Sequence, residues 1–297
     1  MARPEAGVVE EVSPGLRRLL APNPGPMTHW GTNTFIIGEG DVAIVDPGPA
    51  DAGHLAAIFE ATKGERISHI LVTHAHNDHS PLSRELSART DAPVYGFGPH
   101  HAGRSPTMQR LAETESIGGG EGVDVAFRPD FKVKDGDEIS GVGWAVKVLH
   151  TPGHFAGHLA FRAEDWVLSG DHVMDWASSL VSPPDGDLSE FMATSERLRD
   201  LDTTAFHPAH GDQITEPQER LTWLINHRLA RETAILSALD GLGKSLTQIT
   251  QHVYDDIDPS MLPAAARNVF AHLIDLTSRN IAEADPELTI TSRFRLK

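Results

Sequence analysis

Ten residues, Ile70-Leu71-Val72-Thr73-His74-Ala75-His76-Asn77-Asp78-His79, constrain this chain more than any other stretch. The apolar run ending at Thr73 predicts a buried strand, and it opens directly into three histidines and an aspartate. Core packing asks for no such density of metal-capable groups. In an extended segment alternate side chains share a face, so His74 and His76 converge on one point, whereas Asp78 and His79, past the bend, face elsewhere. The spacing predicts two metal positions rather than one.

The donor types narrow that site further. The chain has no cysteine, which excludes thiolate ligands, disulfides and a thiol nucleophile, so any metal must be held by imidazole and carboxylate. At 297 residues it exceeds an average domain, and one large domain plus a smaller one is expected. No stretch approaches the roughly 20 apolar residues of a membrane span. The first residues lack the basic-then-apolar pattern of a secretory signal before Pro14-Gly15, so a cytoplasmic protein without membrane association is expected. The formal charge of −17 is uneven: residues 1–215 carry 16 basic against 31 acidic groups, or −15, and residues 216–297 carry 9 against 11, or −2. Such a surface repels polyanions, which favours a small-molecule substrate over nucleic acid.

Residues 1–30, rich in Pro and Gly around Pro22-Asn23-Pro24-Gly25-Pro26, read as an irregular surface segment. Thr34 to Gly38 and Val42 to Asp46 read as a β-hairpin, Ala50 to Thr62 as a helix and Ile67 to Val72 as a strand. Beyond the histidine cluster, Pro81 to Thr90 reads as a helix and Pro93 to Tyr95 as a strand, giving an α/β layered fold. Residues 98–130, with Gly118-Gly119-Gly120-Glu121-Gly122, read as a long loop. No strand leads into these glycines and no helix follows, which argues against phosphate binding. Strands are predicted at 144–149, 159–162, 166–168 and 203–206, with a helix from Leu188 to Leu201.

Three further metal-capable residues, His154, Asp171 and His210, each sit just after an apolar strand. Loops at one edge of a rigid sheet are where an α/β fold assembles a site from distant positions. From Glu216 the pattern turns helical: Leu221 to Leu239, Leu246 to Tyr254 and Pro263 to about Arg279, then an alternating tail from Leu288 to Leu296, together a small winged-helix-like domain. Gly243-Lys244-Ser245 has Ala238 where a phosphate loop needs its first glycine, so nucleotide binding is rejected. Residues 263–279 offer Arg267 and Arg279 against Asp275, a poor DNA footprint, and are assigned to packing or to a homodimer contact.

These motifs resemble the metallo-β-lactamase-fold hydrolases. His74-Ala75-His76-Asn77-Asp78-His79 fits H-x-H-x-D-H, and Thr151-Pro152-Gly153-His154, Gly170-Asp171 and Ala209-His210-Gly211 follow in the family's order. The C-terminal region, Phe127-Arg128-Pro129-Asp130, Asp135-Gly136-Asp137 and Ser182-Pro183-Pro184 look like the lactamase-beta-2-like branch. The resemblance implies an αββα sandwich over residues 1–215 and a winged-helix-like domain over 216–297. It also implies two Zn²⁺ per chain, with Fe or Mn compatible. His74, His76 and His154 would hold the first ion, Asp78, His79 and His210 the second, and Asp171 would bridge them. Asp78, as a ligand, would in addition handle a proton. His158 and His172 are then structural or support ligands from behind. Asp46 reads as a support for a liganding His or as a turn residue before Pro47-Gly48. His100, His101, His207 and the His29-Trp30 pair are taken as solvent-exposed. Ser80-Pro81-Leu82 replaces the family's usual glycine pair.

The function implied is a dinuclear zinc hydrolase directing a metal-bridged hydroxide at a small ester, thioester, lactone or amide-like substrate. Asp171, with no cysteine ligand anywhere, sets the chain apart from the cysteine-liganded true β-lactamases and nearer the glyoxalase II-like pattern. Three alternatives stand: a single-stranded RNA endonuclease, a mononuclear iron persulfide dioxygenase, and a non-enzymatic binding module working through the winged-helix-like domain.

Overall fold

A computed structural model describes residues 3–113 and 122–297. Seven strands form the first sheet in sequential order: β1 (Val9–Ser13), β2 (Leu16–Leu20), β3 (Asn33–Ile37), β4 (Asp41–Val45), β5 (Arg66–Leu71), β6 (Val94–Gly96) and β7 (Phe131–Lys132). Pairing is antiparallel from β1 to β4 and parallel from β4 to β7. The crossovers of the parallel half are helices α1 (Ala52–Ala61) and α2 (Leu82–Thr90), then α3 (Pro106–Glu113). The second sheet contains β8 (Glu138–Gly141), β9 (Trp144–His150), β10 (Leu159–Arg162), β11 (Trp166–Gly170) and β12 (Ala205–Pro208), with helix α4 (Leu188–Arg199) between the last two.

Period-two alternation explains why these layers stack. Phe35, Ile37, Ala43, Val45 and Leu71 meet Val146, Val148, Leu159, Phe161 and Leu168 between the sheets. Their sequence neighbours Ile36, Val42, Ile44, Ile70 and Val72 point the other way, onto Leu55 and Ile58 of α1 and Leu82 and Leu86 of α2. On the opposite side Leu149, Ala160, Val167 and Phe206 meet Leu198 of α4 and Leu221 and Leu224 of the next helix, α5 (Pro217–Ala238). The result is an αββα sandwich, each buried aliphatic contributing about 1.5–3 kcal/mol.

The C-terminal part contains β13 (Lys244–Ser245), α6 (Leu246–Val253), α7 (Leu262–Ser278), β14 (Ala282–Asp285) and β15 (Arg293–Leu296), the three strands pairing in the order β13-β15-β14. Its core joins Ile235 and Ala238 of α5 to Ile249, Val269, Phe270, Leu273 and Phe294. Ser245 caps α6 in a capping box with Gln248, which accounts for the Lys-Ser pair without any phosphate. Helix α7 packs Val269, Phe270, Leu273, Ile274 and Leu276 on this core and Ala271 on Val181, Leu188 and Phe191.

Three expectations need correction. The N-terminal segment is not irregular, because β1 and β2 extend the first sheet. Two arginines inside β2 masked its pattern; Arg17 pairs with Glu65 at 2.9 Å, and Arg18 with Glu10 at 2.7 Å and Asp212 at 3.2 Å. Residues 98–130 are not simply a loop, because α3 docks Met108 and Leu111 into the C-terminal core. Within that region Gly118 to Glu121 lie outside the described residues. The tail strand is shorter than the alternation from Leu288 implies, Arg293–Leu296, and the other strand of its hairpin is Ala282–Asp285, a sequence of low strand propensity held by β15.

Candidate metal centre

Every metal-capable residue singled out above follows the C-terminal end of a strand: His74 to His79 after β5, His154 after β9, Asp171 after β11 and His210 after β12. The fold brings these ends to one edge of the sandwich. There the side chains form two groups, His74, His76, His154 and Asp171 in one and Asp78, His79 and His210 in the other, each with donor atoms within 4.8 Å of one another. Asp171 faces both. Its Oδ2 lies 3.5 Å from His154 Nε2 and 3.6 Å from His79 Nε2, and its Oδ1 lies 3.3 Å from His210 Nε2. Asp78 Oδ2 is 3.2 Å from His79 Nε2 and 3.1 Å from His210 Nε2.

Three of the imidazoles, His79, His154 and His210, are aimed by what the other ring nitrogen touches. Asp46 follows β4 with φ of 49° and accepts from Thr73 N at 2.8 Å, Thr73 Oγ1 at 2.7 Å and His79 Nδ1 at 2.9 Å. It therefore ties β4 to the head of the histidine turn and frees His79 Nε2 for the site. His154 Nδ1 donates to the Leu180 carbonyl at 2.7 Å, and His210 Nδ1 to the Gly31 carbonyl at 3.1 Å. The turn itself is held from outside: Asn77 N donates to Gly122 O at 2.6 Å, Asp124 N to Ala75 O at 2.8 Å, and Ser80 Oγ to Asp124 at 2.8 Å. Ser80, which departs from the family pattern, thus has a structural use here.

His158 and His172 lie behind the donors. His158 Nδ1 contacts Thr151 Oγ1 at 2.7 Å, and its Nε2 accepts from Asp171 N at 3.1 Å. A Cβ at Gly170, where φ is 52°, would stand 2.5 Å from that Nε2, so the residue before Asp171 must be glycine. His172 is stacked on Phe191 at 4.4 Å and contacts Ser195 Oγ at 3.1 Å. His207 is a correction: it is buried in β12 against Ser13 Oγ at 3.1 Å. His29 stacks between Trp30 at 4.5 Å and Trp176 at 4.7 Å, and His101 is exposed, with His100 half-buried.

Electrostatics divide the donors. Burial, aided by neighbouring imidazoles, holds His74 well below its ordinary range and takes His76 down to about 3. Burial works in the same direction on His79 and His210, but facing carboxylates outweigh it, holding His79 well above the usual value and His210 up to about 10. For Asp78 and Asp171 burial would raise the pKa, yet the imidazoles opposite keep both well below the usual carboxylate range. The carboxylates that keep protons on His79 and His210 would hold a divalent cation in place of those protons. His79 Nε2 and Asp171 Oδ1 are buried with no aligned hydrogen bond, as expected of atoms directed at an ion. The residues present therefore fit a divalent metal.

The groups open onto a cleft of about 480 Å³. Met27, Met174, Trp176 and Leu180 form its apolar wall, and the C-terminal region adds Met261 and Asn268. The apolar ones carried no sequence signal, because single apolar residues between α-helices and strands have no periodicity.

The Metallo-beta-lactamase superfamily signature matches residues 27–210 of the chain, and the chain belongs to that superfamily. It is a metal-dependent hydrolase. Residues 245–287 match the Beta-lactamase associated winged helix domain. The Beta-lactamase-like protein 2 homolog of Drosophila melanogaster is 30% identical over 282 residues, which are 90% of this chain and 89% of that protein. An atrochrysone carboxyl ACP thioesterase of a Cryptosporiopsis species is 28% identical over 237 residues, 78% of this chain and 65% of that one. A beta-lactamase domain protein from Burkholderia ambifaria shares the fold, with a TM-score of 0.82 at 23% identity, covering 99% of this chain and 95% of its own. Among the described residues no helix is long and apolar enough to cross a membrane.

Proposed function

We propose that the chain is a dinuclear zinc hydrolase of small esters, with a thioester as the first substrate to try. One observation carries this reading: two complete donor groups meet across Asp171 at the floor of an apolar cleft. On this reading His74, His76 and His154 would hold one ion and Asp78, His79 and His210 the other, with Asp171 placed between the two groups. Two divalent cations there would supply acidified water and polarise the group under attack; imidazole and carboxylate donors suit Zn²⁺, and Fe or Mn accept the same set.

The chain's own residues supply the remainder. Asp46, Leu180 and Gly31 fix the tautomers of His79, His154 and His210 through their second ring nitrogens. Of the two carboxylates Asp78 is the one a substrate proton can reach, its side chain 25% exposed against 9% for Asp171, and the imidazoles that hold its pKa low make it a relay for that proton rather than its resting place. Met27, Trp176, Leu180 and Met261 shed water around an apolar acyl group, a size and character common to small-molecule sites. The thioester preference draws on the acyl-carrier-protein thioesterase named among the relatives. The working division is a catalytic domain over 1–215 and a winged-helix-like domain over 216–297, the latter furnishing one wall of the cleft.

The test is metal analysis of purified protein followed by a panel of thioester, lactone, chromogenic β-lactam and single-stranded RNA. About two ions per chain with thioester turnover is the expected result. One iron per chain, no metal at all, or turnover of RNA alone would each overturn it.

A further inference from the structure

Helix α5 buries a charged side chain that no motif contains. Arg228 is 2% exposed, and among the described residues no carboxylate forms an ion pair with it. Burying a guanidinium without a counter-charge is costly, so the groups it does meet matter. Its Nη1 donates to Asn268 Oδ1 at 3.0 Å, its Nη2 donates to the Ser179 carbonyl, and its plane lies over Phe191 at 5.0 Å. Arg228 itself does not line the cleft.

The segment it stands behind, residues 179–181, supports two of the seven donors. Ser179 Oγ donates to the Asp171 carbonyl and lies 3.0 Å from the carbonyl of His172. The Leu180 carbonyl receives His154 Nδ1 at 2.7 Å. Val181 N donates to Asn268 Oδ1 at 3.1 Å, the same oxygen that accepts from Arg228. Segment 179–181 is therefore gripped from the rear by Arg228 of α5 and Asn268 of α7, and at its front it grips Asp171 and His154. His74, His79 and His210 do not depend on this path, because their supports are Thr73, Asp46 and Gly31.

We propose that Arg228 is a positioning residue for the metal centre, acting through Ser179 and Asn268 on Asp171 and His154. The proposal rests on the metal-centre reading above. A flat fork that bonds a carbonyl and an amide at once is a shape lysine does not reproduce, so the conservative change should break the grip while keeping the charge.

The experiment is Zn²⁺ competition against a chromophoric chelator for wild type, Arg228→Lys and Asn268→Ala, with circular dichroism and thermal melting alongside. Wild type should bind two ions. In Arg228→Lys the affinity of the ion assigned to His74, His76 and His154 should fall roughly 10–100-fold, the usual effect of removing a group that orients a ligand, and that of the other ion, which shares only Asp171 with it, by clearly less, with the fold retained. Asn268→Ala should move the same affinity in the same direction, and it decides the matter if Arg228→Lys does not fold. Two unchanged affinities in folded variants would overturn the positioning role and leave the metal centre standing. Equal loss of both affinities alongside a lowered melting temperature would assign Arg228 to general stability instead. A wild type that binds no Zn²⁺ would overturn both readings.

Discussion

The two sides of the metal centre are built in different ways. On the first-sheet side, four donors come from one hexapeptide, His74 to His79, clamped by Asp46 at the end of the adjacent strand. On the second-sheet side, His154, Asp171 and His210 come from three separate loops, and each is held by a carbonyl or side chain remote in sequence: Leu180, His158 and Gly31. A local cluster needs one good turn. A dispersed one needs the whole sandwich, and a second domain, to be in register. The first side should therefore fail through its single clamp, the second through loss of any one of several distant supports.

The largest effect expected is from Asp171→Ala, which removes the group that both donor sets face. Turnover should fall beyond the roughly 10–100-fold that loss of an outer support costs, with release of metal seen by elemental analysis after dialysis. Retained activity would show that the two sides work without a shared carboxylate. Asp46→Asn should come next. Asn tolerates the positive φ of that position, so the backbone survives, but His79 Nδ1 loses its carboxylate acceptor. Metal affinity, measured by chelator competition, should drop about 10–100-fold, and at one ion rather than both.

The smallest effect tests the packing behind the dispersed side. Glu190, in the first turn of α4, has a buried and unpartnered Oε2, and burial followed by the neighbouring Asp187 pushes its carboxyl up to about 7. The folded state then binds more protons than the unfolded state between the ordinary value of 4.5 and about 7, so this group's contribution to stability falls as pH rises across that window. Glu190→Gln should raise the melting temperature at pH 8 by about 1–3 °C, and the difference should vanish toward pH 4.5. A variant that gains nothing at pH 8 would show the carboxylate already well solvated.

How far each part was legible follows the same division. The histidine turn, the alternating strands and helices α1, α2 and α4 to α7 are visible in sequence because their signals are local and periodic. His154, Asp171 and His210 are visible only as residues after strands, and their grouping needs the sheet order. Strand β2 was hidden by Arg17 and Arg18, whose pairs with Glu65 and Asp212 close across the fold. Helix α3 was hidden because its two core residues, Met108 and Leu111, pack on a domain more than a hundred residues away. Nothing local marks Arg228, whose meaning lies wholly in the backbone it touches. The cleft wall, made of scattered methionines and one tryptophan, is likewise a property of assembly.

Helix α5 runs 22 residues, and its two ends lie in different cores: Leu221 and Leu224 against the second sheet, Ile235 and Ala238 among the C-terminal helices. A continuous helix cannot bend freely at its middle without breaking backbone hydrogen bonds. The two parts of the molecule are thus splinted, and cutting the chain where the sequence pattern changes, near residue 215, would strip a layer from the sandwich as well as remove a neighbour.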